Sequence, residues 1–184
     1  SCPPTVTVSA DPGLCTASGV ALGVPAPSDN CSVASVTNNA PATFPLGNTT
    51  VTWTVTDAAG LIGTCNQIVT VTDNENPTIV CPADITANSI PGLCGAVVVY
   101  TPPTGVDNCI GASTVLVGGL ASGSLFPVGI TTVTYEVTDG SGNTSQCSFD
   151  VEVLDIEPPV INCPGNIVVS GSRSACDRVS ELAT

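Results

Sequence analysis

Ten cysteines carry the clearest chemistry in this 184-residue sequence. Cysteine at this density is typical of a disulfide framework formed in an oxidising compartment. Structural zinc is the weaker interpretation, because the sequence has no histidine and no Cys-x-x-Cys pair. We therefore expect disulfides at all ten positions, which are Cys2, Cys15, Cys31, Cys65, Cys81, Cys94, Cys109, Cys147, Cys163 and Cys176.

A second set of residues offers oxygen ligands for a cation. The run Asp-Asn-Glu-Asn-Pro at residues 73–77 is similar to the acidic linker that binds calcium between cadherin domains. Ca²⁺ takes about six to eight oxygen ligands from carboxylates, amides and main-chain carbonyls. The competing interpretation is that Asp-Asn and Asp-Gly pairs simply form turns. The calcium hypothesis takes Asp73, Asn74, Glu75, Asp107 and Asp139 as ligands, with Asn108 beside them and a poorer second set at Asp155 and Glu157.

The charge balance argues against several classes of function. The net charge is −13, and the only basic residues are Arg173 and Arg178. Nucleic acids and anionic membrane surfaces would be repelled. Without histidine or lysine a serine nucleophile has no ordinary base, so we expect no enzyme and no required cofactor other than the hypothetical Ca²⁺.

The cysteines and acidic residues described above are expected to be positioned by β-strands. Residues 44–60 and 126–143 are two copies of one pattern, in which apolar residues alternate with threonines. Because side chains along a strand point to opposite faces in turn, each copy predicts a half-buried strand. The apolar faces consist of Val51, Trp53 and Val55 in the first copy and Val133, Tyr135 and Val137 in the second.

The strand pattern belongs to a larger repeat. Cys2 to Cys15, Cys81 to Cys94 and Cys163 to Cys176 are all separated by 13 positions. This predicts one repeat at residues 1–73, a second at 77–155 and the first strands of a third at 158–184. In the second repeat we expect strands at 79–88, 96–101, 113–120, 130–139 and 146–154, and in the first at 49–57 and 65–72. About seven short strands per repeat predict an all-β fold of tandem immunoglobulin-like β-sandwiches, and the short proline-containing linkers predict a rod.

Several motifs together resemble the hyalin repeat, or HYR domain. In the second repeat they are Cys81-Pro82-Ala83-Asp84-Ile85, Pro91 to Cys94, Asp107-Asn108-Cys109, Phe126 to Val133, and Thr138 to Asn143 followed by Cys147. The first repeat departs from the pattern at Leu61, which replaces the equivalent of Asn143, and at Thr5 and Val6, which replace Asp84-Ile85. The resemblance implies an extracellular, adhesion-associated module with no enzymatic activity.

The order of the cysteines leaves their pairing open. The constant spacing favours bonds from the first to the second cysteine of each repeat, including Cys163 to Cys176. In an immunoglobulin-like topology the Asp-Asn-Cys loop and the start of the last strand lie at one end, which favours Cys31–Cys65 and Cys109–Cys147. Bonds from first to third and from second to fourth remain the alternative, since four cysteines allow three connectivities.

Three Asn-x-Ser/Thr triplets are candidate glycosylation sites, at Asn30, Asn48 and Asn143. Asn48 is expected in a turn and is the best placed of the three. Asn30 adjoins a cysteine that is expected to be bonded.

We therefore expect a secreted, extracellular or cell-surface protein with a structural or adhesive role in a fibre or adhesin. No apolar run is long enough to span a bilayer, and the absence of a signal peptide indicates a mature or excised segment. Its expected partners are further copies of itself, other extracellular proteins or glycans. A predicted strand at 166–170 suggests head-to-tail filaments formed by strand addition. The alternative function is a ligand- or carbohydrate-binding spacer within a larger secreted protein.

Overall fold

The computed structural model describes residues 1–163 and 165, and it assigns these residues to strands, turns and loops without a helix. In this part of the chain there is accordingly no helix long and apolar enough to cross a membrane. The strands are β1 (Val6–Ser9), β2 (Thr16–Ser18), β3 (Val33–Asn38), β4 (Thr43–Pro45), β5 (Gly47–Asp57), β6 (Ile62–Thr72), β7 (Ile85–Asn88), β8 (Gly95–Val97), β9 (Ser113–Gly118), β10 (Leu125–Pro127), β11 (Gly129–Thr138) and β12 (Thr144–Leu154).

Each repeat is built from two sheets. The first repeat has a four-stranded sheet in the order β1-β6-β5-β3 and a two-stranded sheet of β2 and β4. The second repeat has the same arrangement, β7-β12-β11-β9 with β8 and β10. The expected all-β class of tandem, disulfide-bonded, immunoglobulin-like sandwiches is confirmed.

The core of each repeat lies between its two sheets. In the first repeat, Ala17 and Phe44 from the small sheet pack with residues of β5 and β6. In the second, Ala96 and Phe126 take the same places. The predicted apolar faces of β5 and β11 are confirmed, since they bury Val51, Trp53, Val133, Tyr135 and Val137 and leave Val55 half-buried.

The first strand of each repeat runs parallel to the last. β1 pairs with β6 in the register Val6 to Val69, and β7 pairs with β12 in the register Ile85 to Val151. All other strand pairs within the sheets are antiparallel. The start of each repeat therefore lies beside its final strand.

The core of the first repeat contains one buried polar side chain, Gln67, which is 1% exposed. Its Nε2 donates to the carbonyl oxygens of Pro4 at 2.7 Å and Leu22 at 2.8 Å, and its Oε1 accepts from Trp53 Nε1 at 2.9 Å. Since buried polar groups are costly unless they are hydrogen-bonded, this amide ties two loops and the core tryptophan into one unit.

In the second repeat, aromatic rings fill the equivalent position in the core. Phe149 replaces the glutamine, and its ring lies edge-on to Tyr100 with centroids 5.0 Å apart. The hydroxyl of Tyr100 donates to the carbonyl of Leu120 at 2.7 Å and contacts the Tyr135 hydroxyl at 3.2 Å. Burial, together with the hydrogen bond to Tyr135, raises the pKa of Tyr100.

The strand predictions differ from the structure in three places. The predicted strand at 79–88 is reduced to β7, because only residues 85–88 pair with β12. Just before the predicted strand, Thr78 makes an isolated bridge to Val106. The predicted strand at 96–101 is reduced to β8. Strands β4 and β10 are absent from the predicted strands, and in the structure each of them pairs with the second strand of its repeat. The predicted strand at 166–170 lies outside the described residues.

Replacing Gln67 by leucine should destabilise the first repeat strongly. The change leaves the buried Trp53 Nε1 without an acceptor, which costs about 1–3 kcal/mol, and it also removes the two hydrogen bonds to the carbonyls of Pro4 and Leu22. We expect the free energy of unfolding to fall by about 2–5 kcal/mol in urea titrations. The control is Gln146→Leu, because Gln146 is exposed on β12. Equal effects of the two substitutions would contradict the role given to Gln67.

Candidate functional site

The candidate site lies where the two repeats meet, at residues 73–77. β6 ends at Thr72, and Asp73 follows with only 6% of its surface exposed. Its Oδ1 accepts the backbone N–H of Glu75 at 3.0 Å, which makes a local turn. Asn74 Nδ2 donates to Ser9 Oγ at 2.9 Å, and Pro77 is buried. The linker is therefore held against both repeats.

A turn from the first repeat packs on this linker. The N–H of Leu14 donates to the carbonyl of Asp11 at 2.9 Å, and Gly13 has φ of 71°. Proline followed by glycine with positive φ is typical of a type II turn. The turn presents the Gly13 N–H to Glu75 Oε2 at 2.8 Å and places Cys15 directly after it.

The second repeat meets this turn with its Asp-Asn-Cys loop. Asp107 Oδ2 accepts the N–H of Cys109 at 2.8 Å, and Asn108 Nδ2 donates to the carbonyl of Leu14 at 3.3 Å. Cys109 forms a disulfide with Cys15, with the Cα atoms 5.4 Å apart. A covalent bond thus joins the two repeats at a second point besides the linker.

The favoured cysteine pairing is wrong, and so is its alternative. The structure joins the first cysteine of each repeat to the fourth, as Cys2–Cys65 and Cys81–Cys147. The strand register gives the reason. Cys2 and Cys65 each lie four residues before the paired residues Val6 and Val69, so the parallel strands bring them side by side.

The second cysteine of the first repeat is then available to the neighbouring repeat. Cys15 bonds to Cys109, the third cysteine of the second repeat. Cys31 and Cys94 are exposed and have no disulfide partner among the described residues. The expected bond from Cys163 to Cys176 involves a residue outside that part of the chain.

The expected cation ligands are only partly brought together. One carboxylate oxygen each of Asp73 and Asp107 and the sulfur of Cys109 lie within 4.8 Å of one another. The disulfide removes Cys109 as a thiolate ligand. Asp73 Oδ2 is buried and has no hydrogen-bond partner. The structure thus shows two converging carboxylates, one of them with an unsatisfied buried oxygen.

Other members of the expected ligand set are used differently. Glu75 bonds the Gly13 turn, and Asn74 bonds Ser9. Both oxygens of Asp139 are occupied within their own turn, because Oδ1 accepts from the N–H groups of Ser141 and Asn143 and Oδ2 accepts from Asn143 Nδ2. In the second set, Asp155 accepts the N–H of Glu157 at 3.1 Å and is exposed.

Asn143 connects the turn after β11 to the linker. Its Nδ2 donates both to Asp139 Oδ2 at 2.8 Å and to the carbonyl of Asp73 at 3.2 Å. Burial raises the pKa of Asp139, but the hydrogen bonds from Asn143, Ser141 and Gly142 outweigh burial and leave the pKa below its usual value. The ionised carboxylate therefore holds Asn143 in place against the first repeat.

The candidate glycosylation sites differ in access. Asn30 and Asn48 are exposed, but Asn48 lies in β5 and not in a turn, and its Oδ1 accepts from Thr70 Oγ1 at 2.8 Å. The Asn143 amide nitrogen is engaged at the junction, as described above. Asn30 precedes the exposed Cys31.

Comparison with known families identifies the repeats. The sequence profile of the HYR domain matches residues 1–71 and 72–153. The chain belongs to the HYR domain family. The motifs that define the resemblance in the sequence, above all the Pro-Gly turn and the Asp-Asn-Cys loop, are the segments that build the junction in this HYR chain.

Curated relatives include two proteins named hyalin. The one from Lytechinus variegatus is 36% identical over 152 residues, which is 79% of this chain and 28% of that protein. The one from Strongylocentrotus purpuratus is 38% identical over 141 residues, covering 72% of this chain and 12% of the relative. The HYR chain thus spans less than a third of the length of either protein.

A third relative and one solved structure extend this comparison. The Sushi, von Willebrand factor type A, EGF and pentraxin domain-containing protein 1 from Rattus norvegicus is 40% identical over 97 residues, 52% of this chain and 3% of the relative. Human protocadherin-24 EC1-2 aligns with 82% of this chain and 96% of its own, with a TM-score of 0.38 and 15% identity. Family membership and three disulfides together indicate an extracellular, adhesion-type repeat module.

The hydrogen bonds of Asp139 should make stability depend on pH. Since the pKa is lower in the folded state, the ionised carboxylate stabilises the fold above the unfolded value of about 4, and this contribution is lost as pH falls through the folded pKa. Asp139→Asn should cost about 1–3 kcal/mol at about pH 7, with a smaller difference from wild type at about pH 2. Urea unfolding across this range measures it, with Glu152→Gln on the exposed face of β12 as the control. A difference that stays constant with pH would refute the assignment.

Proposed function

We propose that this chain is a structural or adhesive segment of an extracellular fibre or surface adhesin, in which HYR repeats are fixed end to end as a stiff rod. The observation that carries this proposal is the Cys15–Cys109 disulfide between the repeats. A module that transmits force or holds binding sites apart needs neighbouring repeats that do not bend freely. Domains joined by a linker alone are expected to move relative to one another.

Three kinds of contact oppose bending at this junction. The linker supplies one covalent connection, and the disulfide supplies another on the side of the Pro-Gly turn. Asn143 adds a hydrogen bond to the Asp73 carbonyl from the turn after β11. Two covalent connections restrict bending of one repeat against the other, and the Asn143 contact holds the second repeat to the first residue of the linker.

We include calcium binding at the junction in the proposal. The supporting observation is the unsatisfied, buried Asp73 Oδ2 beside the Asp107 carboxylate. Both basic residues of the sequence lie at positions 173 and 178, so residues 1–163 hold no lysine, arginine or histidine to balance this pair. A cation from solvent is the physical alternative to two adjacent unbalanced charges.

The donor set suits a hard cation in part. Asp73 and Asp107 supply carboxylate oxygens, and Ca²⁺ accepts carbonyls and water for the rest of its about six to eight ligands. The exposed side chains of Asn74 and Glu75 are further candidates, whereas Asp139 is committed to its own turn. The cation would neutralise the junction and so strengthen the contact between the repeats.

Self-association into filaments is the further part of this proposal. β3 and β9 are edge strands of their sheets, and such edges accept an added strand. The segment first expected to add in this way, 166–170, lies outside the described residues. Secretion to the cell surface and binding to other extracellular proteins or glycans belong to the same proposal.

The alternative role as an aromatic carbohydrate-binding module finds no support. All six aromatic side chains of the sequence are buried: Phe44, Trp53, Tyr100, Phe126, Tyr135 and Phe149. A sugar-binding platform needs exposed rings. The rings of this chain serve the two cores instead.

Removing the disulfide between the repeats should loosen the rod. For Cys15→Ser/Cys109→Ser we expect a broader distribution of inter-repeat orientations in small-angle X-ray scattering and a loss of about 2–4 kcal/mol in unfolding free energy. Cys31→Ser is the matched control, because it leaves all three observed disulfides intact. A scattering profile identical to wild type would count against the stiff junction.

Calcium should stabilise the folded chain through the junction. At a concentration about 100-fold above the dissociation constant, the ion would add about 2.7 kcal/mol and raise the melting temperature. Asp73→Asn/Asp107→Asn should abolish the shift. Glu152→Gln/Asp84→Asn makes the same change in charge at exposed positions outside both candidate ligand sets and should retain it. An unchanged wild-type melting temperature in millimolar Ca²⁺ would defeat the calcium part of the proposal.

A further inference from the structure

The two cysteines without partners occupy the same positions in their repeats as two bonded ones. Cys94 is the second cysteine of its repeat, as Cys15 is of the first. Cys31 is the third cysteine of its repeat, as Cys109 is of the second. Cys15 and Cys109 bond to each other across the junction. Cys94 and Cys31 therefore correspond to the two partners of the disulfide between the repeats.

The surroundings of Cys94 already match those of Cys15. Gly92 donates its N–H to Glu157 Oε2 at 2.6 Å, as Gly13 does to Glu75 at 2.8 Å. The turn before each cysteine is closed by a 2.9 Å backbone bond, from Leu93 to Ile90 and from Leu14 to Asp11. The geometry that presents the second cysteine is thus formed before a partner arrives.

The surroundings of Cys31 match those of Cys109 in the same way. The N–H of Cys31 donates to Asp29 Oδ2 at 2.8 Å, and that of Cys109 donates to Asp107 Oδ2 at the same distance. Both cysteines follow an Asp-Asn pair. The loop that presents the third cysteine is therefore also preformed.

Residues at the junction are buried, whereas the equivalent residues at the free ends of the two repeats are exposed. Asp73 and Pro77 are buried at the junction, whereas Asp155 and Pro159, which follow the second repeat in the same order, are exposed. Cys109 is 7% exposed, whereas Cys31 lies in the open. Each unbonded cysteine thus sits on a surface whose equivalent is covered where two repeats meet.

We infer that Cys94 forms a disulfide with the third cysteine of a repeat that docks on its end, and that Cys31 is that third cysteine for a preceding repeat. The inference rests on the proposed end-to-end rod and adds that the rod is covalently closed at every junction. The neighbouring repeat belongs either to a second copy of this chain or to a longer polypeptide. In both cases the partner is a thiol at the third-cysteine position of an HYR repeat.

The bond forms by two exchange steps with a small-molecule disulfide such as oxidised glutathione. The Cys94 thiolate attacks that disulfide, forms a mixed disulfide and releases one glutathione thiolate. The Cys31 thiolate of the neighbouring repeat then attacks Cys94 Sγ and releases the second glutathione. Two protein thiols are oxidised, one glutathione disulfide is reduced to two thiols, and the two protons from the protein go to glutathione.

A mixing experiment tests the pairing between copies. All proteins contain residues 1–184 and carry Cys163→Ser/Cys176→Ser, so that the third pair of cysteines takes no part. Cys31→Ser and Cys94→Ser versions are incubated with oxidised glutathione, alone and mixed, and analysed by non-reducing electrophoresis and peptide mapping. The mixture should give at least about tenfold more dimer than either protein alone, because docking raises the effective concentration of the complementary thiols.

The parent protein with both cysteines should form a ladder of oligomers that collapses on reduction. Peptide mapping should recover Cys31 joined to Cys94. Equal dimer in the mixture and in the separate proteins would indicate random thiol oxidation and overturn pairing between copies.

A second protein tests pairing within one polypeptide. A copy of residues 74–155 is inserted after Asp155, which keeps a linker with its glutamate and supplies a third cysteine in a following repeat. Peptide mapping should then join Cys94 to the inserted counterpart of Cys109. If this bond forms and the mixture gives no dimer, the link joins repeats of one polypeptide. If neither this bond nor the bond between Cys94 and Cys31 forms, the inference is overturned.

The same maps separate this inference from the proposed function. If Cys15–Cys109 is recovered and neither bond of Cys94 is found, the proposed stiff junction is retained and only the inference about Cys94 and Cys31 is rejected. Failure to recover Cys15–Cys109 itself would remove both.

Discussion

The parallel pairing of first and last strands is the constraint from which the rest of this structure follows. It places Cys2 against Cys65 and Cys81 against Cys147, so each repeat is closed by its own first and fourth cysteines. The second and third cysteines of each repeat are left over, and Cys15 bonds across the junction to Cys109 while Cys31 of its own repeat stays unbonded. The direction of one strand pair thus leaves two cysteines per repeat outside the closing bond, and the covalent link between the repeats is made from these.

The scarcity of basic residues shapes how this chain stabilises its acids. Residues 1–163 contain no arginine or lysine, and in this part of the chain Asp57, Asp107 and Asp139 each accept backbone N–H groups of the turn that they begin. Such turns need no cation. In the turn of Asp139 the hydrogen bonds also lower the pKa of the carboxylate. Asp73 is the exception, because one of its oxygens is satisfied in this way and the other is buried without a partner at the junction.

The sequence was sufficient for the class of fold and for the faces of its long strands, because the period-two pattern of β5 and β11 records burial directly. It was insufficient for β4 and β10, whose three residues are too few to show a period. It also misled on the cysteines, since a constant spacing reports the repeat and not the strand order. The parallel register that decides the pairing joins residues more than 60 positions apart, such as Val6 and Val69. The bond between the repeats was missed because pairing was sought only within each repeat.

Comparison of the two repeats separates what packing requires from what the junction requires. Inside the sandwich the same position is Gln67 in one repeat and Phe149 in the other, and the hydrogen-bonded amide and the edge-on ring both fill the core. At the ends, the Pro-Gly turn, the glutamate that accepts from it and the Asp-Asn-Cys loop keep both residue type and geometry. A core can be repacked if volume and polar partners are maintained, whereas an end must fit a neighbour built to the same plan. The residues that join one repeat to the next therefore lie on the end surfaces of the repeats, and the interior holds those surfaces in place.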